Sequence, residues 1–283
     1  MGGLLSGLES LGLGNLENKD IFEKKESKSR EIGEAKEHKE PEYNEADFIY
    51  DKNFKCPVCD ATITAKIMKT GKARLKGTDF DLRPVYEGFA AEKYDVLLCH
   101  RCGYAALARN FSVILPAQAK MIKENISSNV ILTKYDDGDI YSYEQALERY
   151  KLALACAVVK RAKSSEKAMV CLRTAWLMRS YQEYLAKKGD DNKELIKSLK
   201  EQEDEYESGA YKGFLEARES ETPPIAGMDA VTLDYLLAQL SFHEGDYDNC
   251  SRMISGILTS PGANARIKDK ARDLKDKLAE AKQ

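Results

Sequence analysis

Two Cys-x-x-Cys pairs, Cys56/Cys59 and Cys99/Cys102, constrain this chain more than any other feature. Each pair sets two thiolates on a tight turn facing one point. Two such knuckles supply four soft ligands in a tetrahedron, the donor set that suits zinc. Pro57 stiffens the first knuckle. Gly103 follows the second, where backbone N–H groups turn toward sulfur and a Cβ would hinder them; Asp60 stands at the matching place in the first. Thirty-nine residues separate Cys59 from Cys99, against roughly 15–20 in common zinc ribbons. Loop entropy tolerates this, because doubling a loop costs only about 0.6 kcal/mol while structural zinc contributes on the order of 10 kcal/mol. The insert is therefore expected to carry strands of its own.

Other chemistries fit the four cysteines less well. A redox dithiol wants one Cys-x-x-Cys at a helix N-terminus beside a βαβ unit, and neither pair has that setting. A catalytic zinc keeps an open position, usually with a His or carboxylate ligand. His100 lies inside the second knuckle, but four cysteines already fill the shell. An iron–sulfur cluster is the remaining alternative. The expectation is one structural Zn2+ on Cys56, Cys59, Cys99 and Cys102.

The seven cysteines are an odd number, and no basic start followed by an apolar run precedes them. Both points favour a reducing cytoplasm over a disulfide scaffold. No stretch of about 18 apolar residues is present, so no membrane-spanning helix or membrane partner is expected. The net charge of −3 suggests neither nucleic acid nor membrane, yet its distribution is uneven. Residues 52–110 hold 11 basic and 6 acidic side chains, a locally basic stretch.

Residues 17–45 are rich in Glu and Lys and poor in large apolar side chains, and read as a mobile charged linker. Ahead of it Leu4, Leu8 and Leu11 form one face of a short helix that several glycines weaken; that leucine face is expected to dock on a protein surface. Residues 46–110 look β-rich: Thr62–Met68 alternates as a half-buried strand does, and Tyr94, Val96 and Leu98 alternate before Cys99. From about Pro116 the pattern is helical. Stripes begin at Tyr143, Val170, Leu195, Leu233, Met253 and Ile267, which predicts six helices in stacked antiparallel pairs. The unit Asp234–Gly262 resembles a tetratricopeptide repeat, with Gly245-Asp246-Tyr247 at the turn between helices and a small Cys250 for close packing. The expected fold class is α+β. A tail (1–45) precedes a small zinc ribbon (46–110), a connecting segment (111–142) and an all-α, tetratricopeptide-like domain (143–283).

The runs Lys55-Cys56-Pro57-Val58-Cys59, Thr78–Tyr86, Tyr94-Asp95-Val96, Cys99–Ala105 and Ala168–Leu177 resemble the prokaryotic DUF2225 family. The resemblance implies a cytosolic protein with a four-cysteine zinc ribbon and a helical, repeat-like C-terminal half. It implies no reaction.

Other features carry less. Asp79, Asp81 and Arg83 alternate with Phe80 and Leu82, which on a strand would put three polar side chains on one face; an internal salt bridge is the simpler reading of them, a polar site the bolder. Lys66, Lys69, Lys72, Arg74 and Lys76 form a basic run that phosphates would suit, but no aromatic is interleaved for base stacking. Cys156, Cys171 and Cys250 read as small core hydrophobes. His38 and His243 have no evident catalytic partner, and neither a phosphate-binding glycine loop nor a Ser-His-Asp set is present. The leading expectation is a non-enzymatic adaptor whose helical domain binds a protein partner. A nucleic-acid-binding ribbon comes second, and an enzyme with a site between insert and helices third.

Overall fold

A computed structural model describes residues 43–130, 138–189 and 192–282. The leucine segment and most of the charged tail lie outside the described residues. Among those described are six strands, in three separate antiparallel hairpins, and seven α-helices.

Strands β1 (Ile49–Lys55) and β2 (Thr62–Met68) pair with Lys55 opposite Thr62, so the hairpin closes on the first knuckle. Strands β5 (Val96–Leu98) and β6 (Ala105–Leu107) pair with Leu98 opposite Ala105 and close on the second. Between them, β3 (Leu75–Thr78) and β4 (Pro84–Tyr86) form the hairpin of the insert, with a register shift between Leu75 and Gly77. Strand β5 starts only at Val96, and Tyr94 belongs to a 3₁₀ turn, Ala91–Tyr94. All three β5 residues are buried.

That burial has a simple geometric origin. Successive strand side chains point to opposite faces. Val96, Leu98, Ala105 and Leu107 join the helical core with Ala146, Tyr150 and Ala153, whereas Leu97 and Ala106 join the four knuckle cysteines' cluster, with Tyr104 and Cys156. A two-stranded hairpin is marginal alone. This one is clamped on both faces.

Helix α1 (Pro116–Ile122) opens with Pro at its first turn and runs into a wider π-type turn, Lys123–Ser127. Helix α2 (Tyr143–Val159) starts in a capping box, Ser142 and Gln145. Helices α3 (Ser164–Lys188) and α4 (Lys193–Ser220) are 25 and 28 residues long, much longer than the helices of a 34-residue repeat. Gly189, at φ +66°, ends α3 in the left-handed conformation that glycine adopts without strain. On α4, a Cβ at Gly213 would come within 2.9 Å of the Ala168 Cβ, and Gly209 faces the Cys171 sulfur. These two glycines let the long helices approach closely. Helices α5 (Ala230–His243) and α6 (Tyr247–Thr259) meet at Gly245-Asp246, where the Asp246 carboxylate caps α6 by accepting from Asn249 N–H. Helix α7 (Ala265–Ala281) buries Ala271, Leu274 and Leu278. The six expected stripes correspond to α2–α7. The depth of burial differs: α3 and α5 are covered on nearly every side rather than along one stripe.

Candidate metal centre

The two knuckles share one backbone pattern. Cys56 N–H donates to Ala61 O at 2.8 Å and Asp60 N–H to Cys56 O at 2.9 Å; Cys99 N–H donates to Tyr104 O at 2.8 Å and Gly103 N–H to Cys99 O at 2.8 Å. The fifth position is left-handed in both, at φ +59° for Asp60 and φ +73° for Gly103. Asp is among the few non-glycine residues found there readily, which accounts for its place in the first knuckle. At Gly103 there is a second constraint, since a Cβ would sit 2.6 Å from Val130 Cγ1, beneath the segment that follows the π-type turn.

The knuckles bring the four sulfurs within 4.8 Å of one another. Across the pair, Cys56 Sγ lies 3.7 Å from Cys102 Sγ and Cys59 Sγ 3.6 Å from Cys99 Sγ. A disulfide requires about 2.05 Å, and all seven cysteines are free thiols. Cys56, Cys99 and Cys102 are buried and Cys59 is half-buried, while His100 is exposed and outside the four-sulfur group. Crowding splits the acidities. Hydrogen bonds from Cys102 and Cys56 hold the Cys99 thiol far below its usual range, and Cys56 and Cys99 push Cys102 far above it. Four sulfurs at these distances are compatible with a metal site.

Glycine and aspartate at the fifth position make opposite predictions. Gly103→Ala is expected to destabilise the protein by about 1–3 kcal/mol, through left-handed strain plus the Val130 clash. Asp60→Gly should be neutral or slightly stabilising, because relief of left-handed strain is set against only an exposed Lys55–Asp60 pair. Urea denaturation of both variants measures this; equal effects would refute the steric account of Gly103.

Burial raises the thiols of Cys156, Cys171 and Cys250, the second to about 11. Cys156 also supports the site from α2: its sulfur accepts from Ala105 N–H at 3.4 Å and donates to Gly103 O at 3.7 Å.

Asp79, Asp81 and Arg83 do not lie on a strand. They form the turn between β3 and β4, closed by Asp79 N–H to Arg83 O (2.9 Å), with Leu82 at φ +72°. The alternation that imitated a strand comes from a turn whose polar groups all face α3. Arg83 Nε donates to Asp79 at 2.6 Å, its Nη1 to Ser180 at 2.9 Å, and its Nη2 to Glu183. Asp81 is fully buried and accepts from Trp176 Nε1 at 2.8 Å. Arg179 lies 3.0 Å from Asp81, 2.7 Å from Glu203 and 2.5 Å from Glu207, with its guanidinium over the Phe80 ring. His243, which the sequence left without a partner, stacks on Phe80 and stands 3.5 Å from Glu207. Burial raises the Asp81 carboxyl despite Arg179. Burial also opposes ionisation of Glu207, but His243 and Arg179 outweigh it and lower that carboxyl.

A family model described as "Uncharacterized protein conserved in bacteria (DUF2225)" matches residues 49–278. The chain belongs to the DUF2225 family. No curated protein and no solved structure matches it. In this DUF2225 chain the metal candidates and the Thr78–Tyr86 run both fall within the match. What sequence reasoning missed is the helical half of the ion network. Trp176 and Arg179 sit three residues apart inside an apolar stripe, and Glu203 and Glu207 sit four apart on α4. That spacing was the available signal.

The basic run is only partly open. Lys66 pairs with Asp51 at 3.1 Å and Lys69 donates to Asp47 O, while Lys72, Arg74 and Lys76 are exposed, Arg74 standing 3.9 Å from Glu87.

Proposed function

We propose that Cys56, Cys59, Cys99 and Cys102 hold one structural zinc, and that the protein is a non-enzymatic interaction protein of the cytoplasm. The observation that carries the zinc reading is the pair of cross-knuckle distances, 3.7 and 3.6 Å. A zinc–sulfur bond of 2.3 Å in a tetrahedron puts sulfurs about 3.8 Å apart. Four thiolates converging on one point leave room for a single ion rather than a cluster, and no open position for water. When bound, zinc supplies a cross-link between the two hairpins and no chemistry on a substrate. Among the described residues no helix is long and apolar enough to cross a membrane.

The interaction reading rests on the helical half. Gly245-Asp246-Tyr247 at the α5–α6 turn and the buried Cys250 support a tetratricopeptide-like pair within a domain spanning 143–283, with the ribbon over 46–110. The nucleic-acid reading is the weaker one, because Lys66 and Lys69 already have partners within the chain and no aromatic is interleaved in the run.

Elemental analysis of the purified chain is expected to give about one zinc per molecule, lost in Cys56→Ser plus Cys99→Ser. Absence of zinc in the wild type, or its retention in the double variant, overturns the metal assignment. A partner that co-elutes with the full chain in stoichiometric amount supports the interaction reading; sub-micromolar nucleic-acid binding at physiological salt overturns it.

A further inference from the structure

Between the β3–β4 hairpin, the 3₁₀ turn Ala91–Tyr94 and α3 lies a cleft of about 340 Å³, large enough for a small organic molecule. Its walls carry aromatic rings, among them Tyr86, Phe89, Tyr143 and Tyr184, and Glu92 lines it as well. Most acids and cations around the cleft are matched with one another, while Lys187 of α3 lines its exposed rim outside these pairs. Glu45 is paired with Lys93 at 2.8 Å, Asp79 and Glu183 with Arg83, and Asp95 with Arg173. Glu92 is the buried exception. It is 5% exposed, and among the described residues it takes part in none of these ion pairs; its carboxylate is held by its own backbone N–H. Arg83 is near enough to be felt, but its donors are committed to Asp79, Ser180 and Glu183.

A carboxylate buried beside aromatic faces, in direct ion pair with no protein cation among the described residues although Arg83 and Arg173 act on it from a distance, is an arrangement that can receive a cation from outside. We propose that this cleft binds an organic cation, an ammonium or guanidinium group, with Glu92 as its counter-ion and the aromatic rings as its walls. The group arrives either on a free small molecule or on the side chain of a peptide. Binding here is independent of the zinc site and of the interaction reading.

Acid–base behaviour agrees with this geometry. Burial pushes the Glu92 carboxyl up to about 7. The charged and titratable groups facing it or sharing its cleft are Arg83 from the β3–β4 hairpin, Asp95 beyond its own turn, Glu45 ahead of β1, Tyr143 and Tyr150 from α2, and Arg173, Glu183, Tyr184 and Lys187 from α3. The carboxyl becomes a full charge only as pH rises through about 7, so a cation is held more tightly at pH 8 than at pH 6.

The test is isothermal titration of the full chain with four probes: free arginine, butylammonium, a short peptide carrying one arginine, and the same peptide with citrulline in its place. Wild type is expected to bind at least one cationic probe, with affinity rising from pH 6 to pH 8, and to ignore the citrulline peptide. Tighter binding of the arginine peptide than of both free cations assigns the source to a peptide, and the reverse to a small molecule. Glu92→Gln keeps the shape and removes the charge; it is expected to fold and to bind about tenfold more weakly or worse, with the pH dependence gone. Tyr184→Ala, at the exposed rim, is expected to weaken binding while leaving that pH dependence in place. Absence of binding by every cationic probe at millimolar concentration, or unchanged affinity in Glu92→Gln, overturns the proposal.

Discussion

On the zinc proposal, treating the purified protein with a strong chelator is expected to unfold both cysteine hairpins and expose one side of α2, while α3–α7 stay largely helical. The size of the effect follows from two magnitudes. Structural zinc contributes on the order of 10 kcal/mol, whereas a whole domain's net stability is roughly 5–15 kcal/mol. Neither hairpin survives that loss, since two-stranded pairs have little stability of their own. The damage reaches α2 because Val96, Leu98, Ala105 and Leu107 pack against Ala146, Tyr150 and Ala153. It stops there because α3 and α4 close on each other through Ala168, Cys171, Gly209 and Gly213, contacts that contain no ribbon residue. Amide exchange measured with and without chelator distinguishes the outcomes. Unchanged protection of β5 and β6 would mean that the metal does not hold the hairpins. Loss of protection throughout α3–α7 would mean that the helical half depends on it too.

The second large effect belongs to Arg179. Its guanidinium serves Asp81, Glu203 and Glu207, which are 0%, 2% and 3% exposed. Arg179→Met removes the shared cation and leaves buried acids uncompensated, a change that costs about 3–5 kcal/mol. For a chain of this size that lowers Tm by roughly 6–20 °C. Arg179→Lys should recover little, because one ammonium cannot donate to three carboxylates in a plane. The pH dependence supplies an independent check. In the wild type Glu207 is lowered, so the stability it contributes is present above its unfolded value and is lost as acidification passes through its folded one. In Arg179→Met the stranded acids are raised instead, and they are relieved when protonated. The deficit relative to wild type should therefore shrink between about pH 7 and about pH 5. Urea titrations at both values decide it: a constant deficit would point to lost packing rather than stranded charge.

The four-cysteine cluster was legible because thiols three residues apart permit few structures, and Gly103 marks a backbone that a side chain would obstruct. The helices were legible because apolar residues recur with their period. The ion network was not. Arg179 draws its partners from the β3–β4 turn and from α4, and no local pattern announces a contact that spans a hundred residues. The internal salt bridge expected of Asp79–Arg83 is present, but on a turn rather than a strand: alternation in a short run is shared by strands and by turns whose polar groups converge, and Leu82 at φ +72° leaves no trace in the sequence. The burial of β5 on both faces was equally invisible, since period-2 alternation does not tell how much covers the second face.

The two-faced hairpin β5–β6 has a thermodynamic corollary. Its residues are counted by both cores, so binding of the proposed ion on one face and helix packing on the other would be two readings of one equilibrium. Linkage makes such coupling reciprocal. Any molecule that grips the helical body and stiffens α2 must tighten the ion by the factor by which the ion tightens that molecule. The ratio of chelator-competition midpoints with and without a bound partner would then report how strongly the partner engages α2, even when the partner touches no cysteine.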